Sequence, residues 1–417
     1  MIKLYSLGGS GENGRNCYAI EWSEGAILLD CGVKREITEY SVGDYPVLTQ
    51  EFVSKLKFVL LSHAHEDHSA ALPLIYSLGY KGKVYASGPT ANSTPNFMNK
   101  WKNYVKDNNG TLPFNDEHIA SVDFGVLDIG VNTIDGVTIK VGRSGHVVGG
   151  TWFIVTVEGK EIFYSGDIVA EPMLLHNDMP SKVDAAILNC AYAGRIMKQS
   201  EQYKILLNSV KETLSIGGKV MLPLPPNGRG CDIYKFLSDN IKDIPFYVDK
   251  EILDNYSKLL TMTDWIKEIE HNSSSQNIVS ISTMEEREEV CLKDEAAVIL
   301  TQDGMLTAVQ GKYYFERLKE DERNKVIITG HAAKGTIGAE IFNEEYAKNN
   351  LVNLQKDHII FKVHFDDVDV VEFNKHLNAK TIVLFHSNKD KTVNVISTLK
   401  DNGVNAMCLD PGESYSL

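Results

Sequence analysis

The chain has 417 residues, of which 43% are hydrophobic, and carries a formal net charge of −14. This length suffices for two to three globular domains, and the acidic balance argues against a large, non-specific footprint on a nucleic-acid backbone. No apolar stretch approaches the roughly eighteen residues of a membrane-spanning helix. Six scattered cysteines and the lack of a signal peptide predict a cytoplasmic protein that does not contact a membrane.

The first predicted strand, at residues 2–6, leads into a glycine-rich segment, residues 9–14, that fits the pattern G-x-G-x-x-G. A dinucleotide site of this kind requires a following helix, because the phosphates lie at the helix N-terminus. Here residues 17–22 read as a strand, and a turn at residues 23–25 leads to another strand. The sequence therefore predicts a series of hairpins and no dinucleotide site.

The most informative segment follows a buried strand predicted at residues 58–62 and precedes a short amphipathic helix predicted at 69–78, capped by its first residue. It reads His63-Ala64-His65-Glu66-Asp67-His68. Alternation places His63 and His65 on one side of an extended segment, whereas Asp67 and His68 lie beyond the bend. So many imidazole and carboxylate groups in one loop predict a metal site, with one pair of side chains for each of two cations.

Three other predicted strands end in residues of the same kind. His146 follows the strand at 137–141, Asp167 ends the segment at 162–167, and His386 follows the strand at 381–385. Two cations with about four ligands each need about eight ligand positions, filled by protein or by water. Imidazole nitrogen and carboxylate oxygen without thiolate suit Zn²⁺, with Mn²⁺ as a possible substitute, so we expect two zinc ions.

A long insertion separates Asp167 from His386, and strand and helix patterns alternate along it. The predicted strands are 183–189, 219–224, 245–248, 297–301 and 325–329, and the predicted helices are 202–214 and 231–240. A strand followed by a helix, repeated, predicts a parallel sheet with helices on both faces. A polar stretch at 272–276 is predicted to be a linker.

The order of the ligand residues resembles that of the metallo-β-lactamase superfamily, and the insertion resembles its β-CASP branch, which hydrolyses nucleic acids. That branch includes ribonuclease J and the cleavage-and-polyadenylation endonuclease. The resemblance implies an α/β fold: an αββα sandwich with an inserted parallel-sheet domain. We expect the sandwich core at residues 1–193 and 356–417 and the inserted β-CASP domain at 194–355. The last strand ends near Leu417, which predicts that the extra C-terminal domain of ribonuclease J is missing.

The resemblance also implies a role for each ligand candidate. Two sets of three residues resemble the ligands of the first and the second zinc site, respectively: His63, His65 and His146, and Asp67, His68 and His386. Asp167 resembles the carboxylate that bridges the two ions. Asp30 resembles a carboxylate that orients a ligand without binding metal.

Further residues resemble β-CASP landmarks. Arg229 lies in a turn rich in proline and glycine, and His331 lies in the Gly-Thr-x-Gly turn. His364 and Asp366 form the His-x-Asp motif B, which makes His364 the candidate general acid or phosphate-positioning group. Arg229, His331 and Asp366 are candidate substrate contacts. A histidine at motif C, here His386, accompanies RNA substrates in this branch.

One landmark differs from the branch. Motif A is normally Asp or Glu at the end of the first strand of the insertion, and Asn189 occupies that place. An amide imitates some hydrogen bonds of a carboxylate, but it cannot take up a proton or stabilise a cationic His364 by charge. Either His364 carries the leaving-group chemistry unaided, or the protein is a slow or specialised enzyme.

The sequence therefore predicts a zinc-dependent ribonuclease. A hydroxide shared by the two cations and fixed by Asp67 and Asp167 would attack a phosphodiester in line, with His364 acting on the leaving oxygen. We expect single-stranded RNA as substrate and a monomer or homodimer. The alternatives are a metallo-hydrolase of a small phosphoester or thioester and a catalytically weak RNA-processing scaffold. Metal content separates the scaffold from the enzymes, and substrate length separates the two enzymes.

Overall fold

The computed structural model describes residues 1–38, 41–268 and 277–417. The chain forms two compact units: the first comprises Met1–Ile196 and His364–Leu417, and the second comprises Met197–Val363. The sheet of the second unit includes residues 355–358, so it continues past the boundary predicted at 355. The linker predicted at 272–276 lies outside the described residues. In the described ranges, no helix has the length and apolar character needed to cross a membrane.

The helices and strands fall into three consecutive stretches of the chain. The N-terminal part of the first unit contains β1 (Lys3–Gly8), β2 (Cys17–Trp22), β3 (Gly25–Leu29), β4 (Lys34–Ile37), β5 (Val42–Asp44), α1 (Gln50–Val53), β6 (Leu56–Leu60), α2 (Glu66–Ser69), α3 (Leu72–Ser77), β7 (Val84–Ala86), α4 (Gly88–Asp107), α5 (Asp116–Ala120), β8 (Phe124–Val126), β9 (Gly130–Ile134), β10 (Val137–Arg143), β11 (Thr151–Val157), β12 (Lys160–Tyr164) and β13 (Ala185–Asn189). The second unit contains α6 (Gln199–Ser215), β14 (Lys219–Pro223), α7 (Arg229–Asn240), β15 (Phe246–Asp249), α8 (Lys250–Leu260), β16 (Ile278–Ile281), α9 (Met284–Leu292), β17 (Ala297–Thr301), α10 (Val309–Leu318), β18 (Lys325–Ile328), α11 (Ile337–Glu340), α12 (Glu344–Asn349) and β19 (Gln355–His358). The chain then returns to the first unit with α13 (Asp367–Leu377), β20 (Thr381–Phe385), α14 (Lys389–Asp401), β21 (Asn405–Met407) and β22 (Ser414–Ser416).

Two mixed sheets form the first unit. Their strand orders are β22-β1-β2-β3-β6-β7-β8 and β21-β20-β13-β12-β11-β10-β9. The strands β1, β2 and β3 pair antiparallel, as the predicted hairpin series requires, and β3, β6 and β7 pair parallel. In the second sheet the pairs of β12 with β13 and of β13 with β20 are parallel. The carboxyl ends of the strands that carry the ligand candidates therefore lie on the same side of each sheet.

Alternating side chains build the layers of the first unit. Ile27 and Leu29 of β3 pack against Phe153 and Tyr164 of the other sheet, in a buried core between the two sheets. Leu28 of the same strand faces the opposite way, into a second core that contains Trp101 of α4. A third core covers the outer face of the second sheet with residues of α13 and α14. The resulting order, helices, sheet, sheet, helices, confirms the predicted αββα sandwich.

The helix predicted at 69–78 is wrong in its bounds and in its cap. The structure has two short helices instead, α2 and α3, and Ser69 is the last residue of α2. Pro73 stands in the first turn of α3, where a proline fits because its missing N–H has no partner in that turn. The first short helix places Asp67 and His68 on a turn directly after the two preceding histidines.

The second unit contains the predicted parallel sheet. Its strand order is β16-β15-β17-β14-β18-β19, and every paired neighbour runs parallel. Met221 of β14 packs on one face with Tyr314 and Phe315 of α10, whereas its neighbours Val220 and Leu222 are fully buried on the other face. Burial on both faces is typical of parallel strands, which read as continuous hydrophobic runs.

Candidate metal centre

All ligand candidates of the first unit lie just beyond the ends of strands. His63 and His65 follow β6, and Asp67 and His68 follow on α2. Three more positions follow β10, β12 and β20: His146, Asp167 and His386. The structure brings these seven residues into overlapping groups in which one ligand atom from each residue lies within 4.8 Å of the others in its group.

The first set consists of His63, His65 and His146. The distance from His65 Nδ1 to His63 Nε2 is 3.1 Å, and that to His146 Nε2 is 3.3 Å. One carboxylate oxygen, Oδ2 of Asp167, lies 3.5 Å from His63 Nε2 and 3.6 Å from His146 Nε2. Three nitrogens and one oxygen therefore point at a common centre.

The second set consists of Asp67, His68 and His386. Asp67 Oδ2 lies 3.0 Å from His386 Nε2 and 3.8 Å from His68 Nε2. Asp167 reaches this set too, because its Oδ1 lies 3.3 Å from His68 Nε2 and its Oδ2 lies 3.8 Å from His386 Nε2. Asp167 thus stands between the two sets, at the place predicted for a bridging carboxylate.

Asp30 determines which nitrogen faces the centre in one histidine of each set. Its Oδ2 lies 2.6 Å from His68 Nδ1 and accepts a 2.6 Å hydrogen bond from Ser62 Oγ, which in turn lies 3.0 Å from His63 Nδ1. Both Nδ1 atoms therefore carry a hydrogen, and Nε2 is the nitrogen of each ring that faces the centre. The Ser62 N–H and the Tyr164 hydroxyl also donate to this fully buried carboxylate.

Two centre residues have a left-handed backbone. The φ angle is 59° at Asp30 and 66° at His386, where side chains other than glycine are uncommon. A hydrogen bond of 2.8 Å from the His386 N–H to the Gly9 carbonyl holds the second of these positions. Such conformations persist only where the surrounding structure determines them, and they concentrate at functional sites.

Asn189, the last residue of β13, is fully buried and serves Asp167. Its Nδ2 donates a 2.8 Å hydrogen bond to Asp167 Oδ1. A carboxylate at position 189 would instead face Asp167 as a like charge. The amide therefore holds the Asp167 side chain in place.

His364 lies at the junction of the two sets. Its ring centroid is 4.9 Å from that of His146 and 5.1 Å from that of His386, and its Nδ1 is 3.6 Å from Asp167 Oδ2. Burial lowers the pKa of His364 to about 4, although the Asp167 carboxylate opposes the shift. The ring is therefore neutral at neutral pH and holds a single N–H.

Charge is unevenly distributed between the sets. Burial and the nearby rings of His68 and His65 lower the pKa of His63 well below its usual value. Burial also opposes a charge on His68, but the carboxylates of Asp167 and Asp67 outweigh it and raise the pKa of His68 well above its usual value. The carboxylates thus require positive charge beside the second set, which a proton or a metal cation can supply.

The three predicted substrate contacts are not members of the ligand groups, and two of them belong to the second unit. Asp366 is fully buried, and its carboxylate accepts hydrogen bonds from the first turn of α13, so it caps that helix. Arg229 begins α7 in the second unit, where its guanidinium lies against the backbone of Gly330. His331 follows Gly330 and is exposed. The roles of these residues as substrate contacts stay predictions.

Three further residues contact the centre without having been predicted to do so. Ser62 and Tyr164 each directly precede a ligand-bearing loop, and both donate to Asp30. Asn16 lies at the end of the glycine-rich segment, with Nδ2 3.0 Å from His68 Nε2. Position next to a ligand motif was a usable signal for the first two, whereas nothing local distinguished Asn16.

An open cluster of imidazoles and carboxylates at the strand ends of an αββα sandwich defines a metal-dependent hydrolase. Family models agree: that of the metallo-beta-lactamase superfamily matches residues 10–217, and that of the Beta-Casp domain matches residues 232–341. The chain therefore belongs to the β-CASP branch of the metallo-β-lactamase superfamily, as the sequence predicted.

Similar proteins include a transcription termination factor FttA from Methanothermobacter thermautotrophicus, 27% identical over 95% of this chain and 69% of that one. An RNase J-like protein from Methanocaldococcus jannaschii is 25% identical over 96% of both chains. The endoribonuclease ysh1 of Emericella nidulans is 25% identical, and the matched region spans 52% of its length. A crystal structure of a protein of unknown function from Enterococcus faecalis shares the fold along the full length of both chains, with a TM-score of 0.65 and 12% identity.

Proposed function

We propose that this protein is a ribonuclease that holds two divalent cations, Zn²⁺ or in its place Mn²⁺, at the candidate metal centre. The observation that carries the proposal is the position of Asp167 between the two sets. Its Oδ2 lies 3.5–3.6 Å from nitrogens of the first set and 3.8 Å from His386 Nε2, and its Oδ1 lies 3.3 Å from His68 Nε2. His63, His65 and His146 would hold one ion, Asp67, His68 and His386 would hold the other, and Asp167 would contact both.

The donor atoms fit such ions. Ligand atoms at the corners of a tetrahedron around zinc, with Zn–N of about 2.0–2.1 Å, stand about 3.3 Å apart. The separations in the first set, from 3.1 to 3.6 Å, agree with that arrangement. Since Asp30 turns Nε2 of His63 and of His68 toward the centre, both nitrogens are placed to bind a cation there.

When bound, the two cations supply Lewis acidity and lower the pKa of water, which is the usual route to phosphodiester hydrolysis. The residues of the chain do the rest. Asp67 and Asp167 accept hydrogen bonds from water and so orient it beside the phosphate. His364, neutral because its pKa is about 4, donates its N–H to a phosphate oxygen, which favours phosphate positioning over proton transfer as its role.

The choice of RNA rests on the relatives. An endoribonuclease and an RNase J-like protein match 95% and 96% of this chain, respectively. A histidine at position 386, the residue type that accompanies RNA substrates at motif C, agrees with this choice. We propose single-stranded RNA as the substrate.

The six cysteines are free, as in a protein of the reducing cytoplasm. The expected oligomeric state, a monomer or a homodimer, stays a prediction.

The test is cleavage of one RNA oligonucleotide, labelled at the 5′ end in one assay and at the 3′ end in another, by protein loaded with Zn²⁺ or Mn²⁺. His65→Ala is the matched blank, because it removes one ligand of the first set. We expect cleavage that the variant and a chelator abolish, and the two label patterns distinguish internal from terminal cleavage.

A second substrate separates the alternatives. Bis(p-nitrophenyl) phosphate reports hydrolysis of a small phosphodiester. If protein shown to hold two metal ions hydrolyses this compound but leaves RNA intact, the ribonuclease proposal is wrong and a small-phosphoester hydrolase replaces it. If it hydrolyses neither, the protein is a scaffold.

A further inference from the structure

The glycine-rich segment that follows β1, residues 9–16, contacts the second ligand set, and we name it the glycine loop. The Gly9 carbonyl accepts a 2.8 Å hydrogen bond from the His386 N–H, and the Asn16 N–H donates a 2.8 Å hydrogen bond to the Asp67 carbonyl. One short loop thus holds the backbone of two residues of this set, His386 and Asp67. The G-x-G-x-x-G pattern therefore has a use unrelated to nucleotides.

The Asn16 side chain, at the end of the glycine loop, is fully buried and reaches two ligands. Its Nδ2 lies 3.0 Å from His68 Nε2 and 3.4 Å from Asp67 Oδ2. Its Oδ1 accepts a hydrogen bond of 3.4 Å from the Tyr18 hydroxyl, which sets the amide end of the side chain toward the ligands. Gly9 makes room for this arrangement, because a Cβ there would lie 2.4 Å from Asn16 Oδ1.

This contact has a definite chemical meaning. The His68 Nδ1 hydrogen goes to Asp30, so Nε2 is the His68 nitrogen that faces the centre, and the Asn16 amide lies against it. A cation bound at His68 Nε2 would replace that contact. The amide would then keep Asp67 Oδ2 as its acceptor and hold this carboxylate in place.

We propose that Asn16 is a positioning residue for the second ligand set and for the ion that this set holds. The inference rests on the proposed function, because it assumes two cations at the centre. Asn16 contacts two ligands of one set through a single amide. Loss of this amide should therefore weaken the binding of the ion at the second set and not that of the other ion. Partners that orient ligands typically contribute 10- to 100-fold in metal affinity.

The experiment is a Zn²⁺ titration against a chromophoric chelator, which gives the number of bound ions and their affinities without any RNA. We expect the wild-type protein to bind two ions. In Asn16→Ala and in the nearly isosteric Asn16→Leu, the affinity for one of the two ions should fall about 10- to 100-fold. The double variant Asn16→Ala/His146→Ala should retain neither ion tightly, because it damages both sets.

Asn374→Ala is the matched control. Asn374 is also buried in the first unit, and its side chain bonds the backbone of Ala379. The Asn374→Ala variant should bind both ions with the affinities of the wild-type protein. The proposal for Asn16 is overturned if both Asn16 variants lose affinity equally for the two ions, or lose none. The ribonuclease proposal would stay intact in either case. Unchanged protein that binds no divalent ion would instead overturn the proposed function.

Discussion

Two buried carboxylates at strand ends, one in each unit, have very different surroundings. Asp249 at the end of β15 pairs with the Arg287 guanidinium and accepts hydrogen bonds from Thr301 Oγ1 at 2.8 Å and the Gln302 N–H at 2.9 Å. Asp167, just after β12, has a hydrogen bond from Asn189 and otherwise faces histidine nitrogens at 3.3–3.8 Å. The relative exposure of both residues is 2%.

The difference shows how burial of a charge separates structure from function. At Asp249 the compensating cation is built into the chain, so the ion pair is complete and holds β15, β17 and α9 together. At Asp167 the neighbours are imidazole rings, whose charge depends on protonation, and their ring nitrogens face the same space. A buried carboxylate without a fixed cation needs positive charge from elsewhere, which makes this cluster the candidate site for a metal ion.

The largest expected effect comes from Asp167→Ala, which removes the carboxylate shared by both ligand sets. Metal binding should weaken and RNA cleavage should fall by more than about a hundredfold, because partners that merely orient ligands already contribute that much. Metal content and initial rates measure this. A variant that kept both ions and its activity would contradict the role of Asp167 as the shared ligand.

Asp249→Ala should instead destabilise the second unit by about 3–5 kcal/mol, because it leaves Arg287 as an unpaired buried charge. Chemical denaturation measures the loss, and the number of bound Zn²⁺ ions should not change. Asp254→Ala is the control, since its ion pair with Lys250 is more than half exposed and should contribute below about 1 kcal/mol. Equal losses in the two variants would contradict this prediction.

Asp30→Asn sharpens the comparison within the first unit. The amide keeps the size of the side chain but replaces one acceptor oxygen by a donor, so His68 Nδ1 and Ser62 Oγ lose part of their acceptor. We expect 10- to 100-fold weaker Zn²⁺ binding. Titration of the folded variant measures it, and an affinity unchanged within error would show that Asp30 does not orient the ligands.

The smallest expected effect is that of Tyr164→Phe, which removes one of several donors to Asp30. A hydrogen bond to a charged group contributes about 1.5–3 kcal/mol to the free energy of unfolding. Thermal or chemical unfolding of the metal-free protein measures this loss, and Zn²⁺ affinity should fall less than in Asp30→Asn. A larger loss of affinity than in Asp30→Asn would reverse the assigned order of importance.

The sequence by itself determined the residue types of the candidate ligands and their places on the chain. Strand and loop patterns are local, so the ends of β6, β10, β12 and β20 could be read from hydrophobic runs that stop at His or Asp. The hairpin series after β1 was equally local, and the structure confirms its antiparallel pairing. The family resemblance supplied the sandwich and its insertion, both of which the structure confirms.

Only the tertiary structure decided how these residues act on one another. Asn189 donates a hydrogen bond to Asp167, Asn16 reaches His68 from far along the chain, and Asp366 caps a helix. The periodicity of hydrophobic residues along the sequence does not predict such contacts, because hydrogen bonds between distant residues depend on how sheets and loops approach in space. Which nitrogen of His63 and of His68 faces the centre depends in the same way on the buried carboxylate of Asp30.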